Sequence, residues 1–216
     1  MARLTRKEKQ AHTRSCLMNS AARVFARRGL QSASIDEVAE DAGYTKGAFY
    51  ANFKSKEELF LAMLDERFAE RVEQVDATMA SGGDPKQQAH QAGVDFVRYL
   101  SADPDWQRLF FEFAAYAGRN EDFREELVTR YRALREGIAE LLARRAEELD
   151  KEFPLPVDQI ALMTFAMANG VALENLLEPE AVPADLYGTM LMVFFTGLHT
   201  LAEEQQARVG AAAAAP

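Results

Sequence analysis

Several features that would point to particular chemistries are scarce in this chain of 216 residues. It has a single cysteine, Cys16, which excludes an intramolecular disulfide and a multi-cysteine zinc site and suits a reducing cytosol. No apolar run approaches the ~18 residues needed to span a bilayer, and the basic, polar N-terminus does not resemble a secretory signal. These absences predict a cytoplasmic protein.

The residues that commonly carry catalysis are also sparse or scattered. The three histidines, His12, His90 and His199, stand apart from any metal-ligand or triad spacing. There is no glycine-rich phosphate loop and no G-x-S-x-G turn. Because the plentiful acidic residues lie in helical segments, most of them mark solvated faces. We therefore expect no enzyme, no metal and no cofactor.

The net charge of −9 is unevenly distributed along the chain. Residues 1–56 hold eleven Lys or Arg against five Asp or Glu, a net charge of +6. The remainder holds fourteen basic and twenty-nine acidic residues, a net charge of −15. A basic segment of domain size beside an acidic body is typical of a protein that places one face on phosphates.

Proline and strand-like alternation are rare, whereas helix signals recur, so we predict an all-α fold of about nine helices. The first helix is expected over residues 12–28, where Leu17, Ala21, Val24 and Phe25 form one apolar stripe before Gly29. Capping patterns then start helices near Ser34, Thr45 and Ser55, and the last of these continues to about Ala80. Five further helices are expected at 85–101, 104–117, 120–150, 156–178 and 183–208.

From this order of helices we predict that the chain consists of two domains and a tail. Residues 1–55 form a three-helix, helix-turn-helix DNA-binding domain. Residues 56–209 form a larger helical bundle for ligand binding and dimerisation. Residues 210–216 form a disordered alanine-rich tail. The first ten residues add a loose basic arm with Arg3, Arg6, Lys7 and Lys9.

The thirteen residues from Gly43 to Ser55 carry most of the functional information. They describe a very short helix with an exposed polar and aromatic face between a glycine turn and a second cap. Such a helix gains little stability from propensity alone. The economical interpretation is the second helix of a helix-turn-helix, which enters the DNA major groove.

A series of residues between about Thr13 and Phe60 agrees in order and spacing with a known family. They are Ala21-Ala22, Phe25, Gly29, Ser34-Ile35, Ala39, Ala42-Gly43, Thr45-Lys46-Gly47-Ala48-Phe49-Tyr50, Phe53 and Lys56-Glu57-Glu58-Leu59. On these residues the segment resembles the DNA-binding domain of the TetR family of bacterial transcriptional repressors. One departure is Asn52, where the family more often has histidine.

The chemistry of these residues suggests how DNA would be read. Lys46 could donate to a guanine, Thr45 and Ala48 could place methyl groups against thymine, and Gly47 would let the backbone approach the duplex. The resemblance implies that Tyr50 and Lys56 contact phosphates on either side of the groove. The full set of expected DNA-contacting residues is Ser34, Tyr44, Thr45, Lys46, Gly47, Ala48, Tyr50, Asn52 and Lys56.

The remaining chain is rich in large apolar side chains, and TetR-like proteins are typically controlled by lipophilic ligands. Aromatic groups with polar atoms suit such a cavity, although each residue alone also fits a packed core. Glu112, Asn169 and Glu174 are candidate polar contacts, and a buried glutamate would favour a cationic compound. The expected pocket residues are Met63, Phe68, Trp106, Phe110, Phe113, Tyr116, Tyr131, Asn169 and Glu174.

The ninth predicted helix is apolar nearly all round, so it needs cover on every side. A second copy of the chain is the simplest cover, and the family also places its dimer interface there. The expected interface residues are Phe165, Val171, Met190, Phe194, Leu198 and Leu201.

A dimer would place two reading helices in successive major grooves, so its operator would be a pseudo-palindrome. We expect a repressor that a lipophilic ligand releases by shifting the fourth helix. Two alternatives remain open from the sequence: a DNA-binding regulator without a small-molecule inducer, and an activator.

Overall fold

The computed structural model describes residues 5–213, and within this part of the chain the regular secondary structure is all helical, with no strand. The all-α prediction is therefore confirmed. The helices, with one 3-10 turn at Pro179–Ala181, are α1 Arg6–Ser32, α2 Ile35–Asp41, α3 Lys46–Tyr50, α4 Lys56–Ala80, α5 Pro85–Ala102, α6 Pro104–Ala117, α7 Glu121–Glu148, α8 Val157–Leu177 and α9 Leu186–Ala213.

Helix α1 begins earlier than predicted. Thr5 caps it, because its hydroxyl accepts from the Glu8 backbone N–H and the Glu8 carboxylate accepts from the Thr5 N–H. Arg6, Lys7 and Lys9 therefore lie on a helix and not on a loose arm, while Arg3 lies outside the described residues. At the predicted stop, Gly29 has a φ of 74° and interrupts the helical backbone, so α1 consists of two helical stretches on either side of a kink, the second ending at Ser32.

The C-terminal end also differs from the prediction. Helix α9 continues to Ala213, so 210–213 belong to a helix where a disordered tail was expected. Alanine has the highest helix propensity, which allows the run after Val209 to extend the helix. The rest of the expected tail, 214–216, lies outside the described residues.

The chain divides into two compact units, each made of two segments of the chain. The first comprises residues up to Phe68 together with Pro104–Arg130, and the second comprises Ala69–Asp103 together with the residues from Tyr131 onward. Helix α6 groups with α1, α2 and α3, together called the head below, because it packs against α1 within the first unit.

The first unit has an aromatic core. Phe60 stacks on Phe113 and on Trp106, and Phe113 meets Phe25 of α1 edge-on, with the two ring centroids 6.1 Å apart. Phe49 and other apolar residues of the short helices are buried in the same unit. This core fixes α1 and α3 as parts of one rigid head.

The second unit is organised around the crossing of α5 and α9. Gly93 of α5 and Gly188 of α9 meet backbone to backbone, and a Cβ built on Gly93 would lie 2.4 Å from the Gly188 nitrogen. Leu142, Ile160 and Leu198 form a further buried cluster in this unit.

One expectation about membranes needs correction. Helix α8 has the length and apolar composition needed to cross a bilayer, whereas no run of that kind was expected. A third of the apolar window is buried inside the protein, and core helices of soluble proteins meet the same criteria.

Candidate nucleic-acid interface

A tight turn joins α2 to α3. Gly43 has a φ of 74°, a conformation that L-residues with a side chain rarely adopt. Its N–H donates to the Glu40 carbonyl oxygen at 2.9 Å, and the Tyr44 N–H donates to the Ala39 carbonyl oxygen at 2.8 Å. This turn sets the direction in which α3 leaves α2.

Helix α3 presents a polar face to solvent while its other side is anchored. Phe49 is fully buried and packs against Phe53, whereas the Tyr50 side chain is 51% exposed. Thr45 caps the helix, because its hydroxyl accepts from the Ala48 N–H at 3.2 Å. The exposed surface therefore includes Gly47, whose missing side chain leaves the backbone accessible.

Lys46 is exposed and forms an ion pair with Asp36 of α2, the Nζ and Oδ2 atoms being 2.8 Å apart. The hydrogen bond with Asp36 raises the pKa of Lys46. Exposed ion pairs are weak in water, so release of Lys46 from Asp36 costs little. No local sequence signal predicts this pairing.

Asn52 is held from inside the protein. Its side-chain Nδ2 donates to the Ala48 carbonyl oxygen at 2.8 Å, and its backbone carbonyl oxygen accepts from the Arg14 guanidinium. Among residues 5–213, no hydrogen-bond partner meets its Oδ1 atom. Arg14, whose guanidinium also lies 4.2 Å from the Phe53 ring centroid, was missed from the sequence.

Lys56 has a different environment from the one expected for a phosphate contact. Its Nζ donates to the carbonyl oxygens of Leu30, Gln31 and Ala33 at 2.6, 3.3 and 3.2 Å. An ammonium has three N–H donors, and these carbonyls use all of them. Lys56 thus joins the start of α4 to the end of α1.

Glu112 of α6 holds the same segment of α1 from its N–H side. Its Oε1 accepts from the Leu30 N–H at 2.7 Å, and it lies against Gly29, where a Cβ would come within 3.2 Å of it. Glu112 was considered as a polar contact for a cationic ligand, and the structure gives its carboxylate a backbone partner instead.

Ser34 and Tyr44 complete the expected set of DNA contacts. Ser34 is exposed and caps α2, with its hydroxyl accepting from the Glu37 N–H at 3.1 Å. Tyr44 is half-buried beside the Gly43 turn. The structure thus brings eight of the nine expected residues to the α2–α3 region, while Lys56 faces α1.

The head is braced by a charged cluster at the end of α2. The Asp41 carboxylate accepts from Arg23 and Ser20 and also pairs with Arg27. The hydrogen bonds from Arg23, then Ser20 and Arg27, lower the pKa of Asp41 below its ordinary value of 3.8. This cluster fixes α2, which in turn positions α3.

The expected ligand-pocket residues divide between the two units. In the first unit, Phe113 is fully buried and Trp106 nearly so, both within the aromatic core. Met63 is also buried there, while Phe68, Phe110 and Tyr116 are half-buried. The Tyr116 hydroxyl accepts from the Asn120 amide at 2.9 Å.

In the second unit, Tyr131 packs edge-on against Phe165, with ring centroids 5.0 Å apart, and burial raises its pKa. Asn169 is half-buried and Glu174 is exposed. A buried glutamate that would favour a cation is therefore not provided by Glu174.

The expected dimer residues also differ in exposure. Val171 and Leu198 are buried within the chain itself, so they belong to its own core. Phe165, Met190 and Phe194 are half-buried, and Leu201 is exposed. Six further large apolar side chains of α8 and α9 lie outside the expected interface set and are exposed: Leu162, Met163, Leu173, Leu177, Val193 and Val209.

No group of three or more His, Cys, Asp or Glu side chains within the described part of the chain is arranged to hold a metal ion.

Two family models match the chain. Residues 17–63 match the model described as bacterial regulatory proteins, tetR family. Residues 85–200, more than half of the chain, match the BetI-type transcriptional repressor C-terminal model.

Similar proteins are transcriptional regulators. The HTH-type transcriptional activator FasR from Mycolicibacterium smegmatis is 34% identical over 110 residues, which is 51% of this chain and 48% of FasR. The chain thus matches about half the length of that relative. The HTH-type transcriptional repressor AcnR from Corynebacterium efficiens is 25% identical over 166 residues, 76% of this chain and 81% of AcnR.

A solved structure shares the fold. It is the transcriptional regulator FadR from Bacillus subtilis in complex with stearoyl-CoA, with a TM-score of 0.68 and 14% identity. The match covers 82% of this chain and 95% of FadR.

Proposed function

Because the chain belongs to the TetR family of bacterial transcriptional regulators, we propose that it is a cytoplasmic repressor that binds a pseudo-palindromic operator as a homodimer and is released by a small molecule. The observation that carries this proposal is the short helix α3, which is anchored by Phe49 and exposes Thr45, Lys46, Gly47 and Tyr50. These are the side chains that a major groove can accept.

Within the groove, each exposed residue has a role that follows from its chemistry. Lys46 exchanges Asp36 for the O6 or N7 acceptor of a guanine. Tyr50 donates its hydroxyl to a phosphate, and Gly47 allows the helix backbone to approach the bases. We leave Lys56 out of this contact set, because its ammonium is already saturated by the three carbonyls of α1.

A homodimer is supported by the exposed apolar surface of the second unit. On α8, Leu162, Ala166, Leu173 and Leu177 lie on one stripe and are exposed. Val193 and Leu201 are exposed on α9. A two-fold contact covers this surface with its own copy, and the buried members of the predicted set, Val171 and Leu198, are replaced by these exposed ones.

Control by a ligand is supported by what is known of a structural neighbour, since FadR was solved with stearoyl-CoA. The proposed mechanism is a shift of α4, which begins beside the head at Lys56 and continues to Ala80 in the second unit. Typical coupling of ~1–3 kcal/mol corresponds to a roughly 5- to 150-fold loss of operator affinity.

Activation is the second candidate, and the name of FasR, an activator, is the observation in its favour. The two directions share the same DNA contacts. A reporter gene behind the selected operator distinguishes them, because removal of a repressor raises expression and removal of an activator lowers it.

The testing experiment is a selection of random duplex DNA by the purified protein at two salt concentrations. We expect one pseudo-palindromic site, bound more weakly at the higher salt. As a matched pair, Lys46→Ala is expected to relax one base position per half-site, while Lys54→Ala, just outside α3, leaves the consensus unchanged. Failure to enrich any site would reject the proposal.

A further inference from the structure

Arg71 of α4 lies in an aromatic environment in the second unit. Its guanidinium carbon is 4.9 Å from the Phe96 ring centroid. Phe96 in turn packs against Tyr187 and Tyr99, with ring centroids 5.2 and 6.5 Å away. The arginine is thus a cation stacked over the Phe96 ring, which two tyrosine rings also contact.

The hydrogen bonds of Arg71 use only part of its capacity. Its Nη2 donates to the Ala92 carbonyl oxygen at 2.9 Å, and its Nη1 makes a long contact of 3.4 Å with the Gln74 side-chain oxygen. A guanidinium has five N–H donors arranged as a planar fork. Both acceptors are neutral, so neither balances the positive charge.

Among residues 5–213, no carboxylate lies within ion-pair distance of Arg71. Asp95 is close enough to act on it electrostatically, but the Asp95 carboxylate accepts from Arg98 at 2.6 Å and from Gln91 at 2.9 Å. Two other arginines of this unit, Arg144 and Arg145, do have carboxylate partners.

The surroundings penalise this unbalanced charge. Burial lowers the pKa of Arg71, because the cation loses part of its hydration, while the nearby Tyr187, Asp95 and Tyr99 act in the opposite direction. A largely buried charge is costly unless a counter-charge accompanies it. The side chain nevertheless remains half-buried and not fully enclosed, so a ligand from solvent can reach it.

We propose that Arg71 binds the anionic group of the effector, a carboxylate or phosphate carried on an apolar body. Two anionic oxygens match the planar fork of the guanidinium, and the apolar body packs beside the half-buried rings of Phe96 and Tyr99. This inference rests on the proposed function, because it names the chemical class of the ligand that controls operator binding.

The charge of this site is opposite to the one that a buried glutamate would give. Glu112 and Glu174 were candidate polar contacts, and a buried glutamate would favour a cationic compound, yet Glu112 binds the Leu30 N–H and Glu174 is exposed. The cation of the site is supplied by the protein, so a positively charged ligand would be repelled.

The test uses four probes with the same ten-carbon chain: decanoate, decyl phosphate, decan-1-ol and decylammonium. Isothermal titration of the full-length protein is expected to give tighter binding for either anion than for the alcohol, by about tenfold or more, and weaker binding for the ammonium. This comparison needs no variant. Equal affinity for anion and alcohol, or no binding of either anion, would overturn the proposal.

Substitutions of Arg71 test whether this residue causes the preference for anions. Arg71→Met is expected to reduce anion affinity to the level of the alcohol, while Arg71→Lys keeps part of the preference because it keeps the charge without the fork. The matched control is Arg144→Met, which removes an exposed arginine of the same unit and leaves the anion preference unchanged. Circular dichroism confirms that each variant is folded. An Arg71→Met protein that is folded and retains the preference would contradict the assignment.

An assay of operator release distinguishes a failure of the Arg71 effector site from a failure of the proposed regulatory function. Enrichment of an operator that decanoate and decyl phosphate fail to release would overturn the Arg71 effector site while leaving the regulator intact. Anion binding through Arg71 without enrichment of any operator would support the site and reject the regulatory function.

Discussion

A side chain at Gly47 is expected to change the stability of the fold and the affinity for DNA in opposite directions. A Cβ at this position would meet only the Thr45 hydroxyl oxygen, at an ordinary 3.7 Å. Gly47→Ala is therefore expected to raise the free energy of unfolding by ~0.5–1 kcal/mol, as alanine does in helices. The same methyl group would lie between α3 and the duplex, so operator affinity should fall by about tenfold.

Thermal unfolding and operator titration measure the two effects on one protein. The control is Gly43→Ala, in which a residue with a side chain must adopt a φ of 74°. That variant is expected to lose ~1–2 kcal/mol of stability. Unchanged operator affinity in Gly47→Ala would show that the backbone of α3 does not approach DNA closely.

Asp41 makes the head sensitive to acid. Its pKa is lower in the folded protein than its ordinary value of 3.8, mainly because Arg23 donates to the carboxylate. The stabilisation is complete above pH 3.8 and is lost as the pH falls through the lower folded pKa, since protonation removes the acceptor.

Urea unfolding over this acid range measures the effect. Asp41→Asn is expected to be less stable than the wild type at neutral pH. On acidification it should then lose less stability than the wild type does. Glu136→Gln, which removes one exposed carboxylate from α7, should follow the wild-type pH profile. Parallel pH profiles for Asp41→Asn and the wild type would contradict the prediction.

Some features of the DNA-binding site could be predicted from the sequence and others could not. The local motifs predicted the Gly43 turn, the Thr45 cap and the buried Phe49, because each depends on neighbours a few residues away. The partner of Lys56 could not be predicted, because three carbonyls about 25 residues earlier become its neighbours only after folding.

At the scale of helices, the crossing of α5 and α9 depends on two glycines. A Cβ on Gly93 would lie 2.4 Å from the Gly188 nitrogen, so the helices must separate to admit it. Gly93→Ala is therefore expected to destabilise the protein by ~1–3 kcal/mol, the usual cost of overpacking.

Chemical denaturation measures this cost, and Gly137→Ala provides the control. Its new Cβ would lie at an ordinary 3.6 Å from the Val72 side chain, so alanine should be neutral or stabilise α7 by up to ~1 kcal/mol. Equal stabilities of the two variants would show that the close crossing of α5 and α9 is not rigid.

Helix bounds were predictable to the extent that local signals define them. Proline and capping residues set α5 and α6 within a residue of their observed ends. The start of α1 was missed because the Thr5–Glu8 capping pattern precedes a polar stretch without an apolar stripe. The Gly93–Gly188 contact was not predicted, because no periodicity records which helices will cross.

At the scale of the whole molecule, the exposed apolar surface on α8 and α9 predicts association. Leu173 is 41% exposed and Val193 is 64% exposed. Replacing both by Glu would bury charges in a two-fold contact, where each side chain meets the partner copy. The double variant is expected to sediment as a monomer. Its operator affinity should fall by two orders of magnitude, which corresponds to about 2.7 kcal/mol of binding free energy.

Analytical ultracentrifugation with light scattering provides the measurement. The control is Val128→Glu, which adds a charge at a similarly exposed apolar residue, 43% exposed, on α7 in the first unit. That variant should keep the wild-type mass. A wild-type protein that is monomeric at micromolar concentration would contradict the proposed dimer.

Leu30 gives the head a natural spectroscopic reporter. Its N–H donates to the Glu112 carboxylate and its carbonyl accepts from the Lys56 ammonium, so one residue of α1 is bound by opposite charges from α6 and α4. An amide proton held by a carboxylate is shifted strongly downfield in a nuclear magnetic resonance spectrum. This one resonance would therefore register any movement of α6 relative to α1, without a label placed anywhere in the protein.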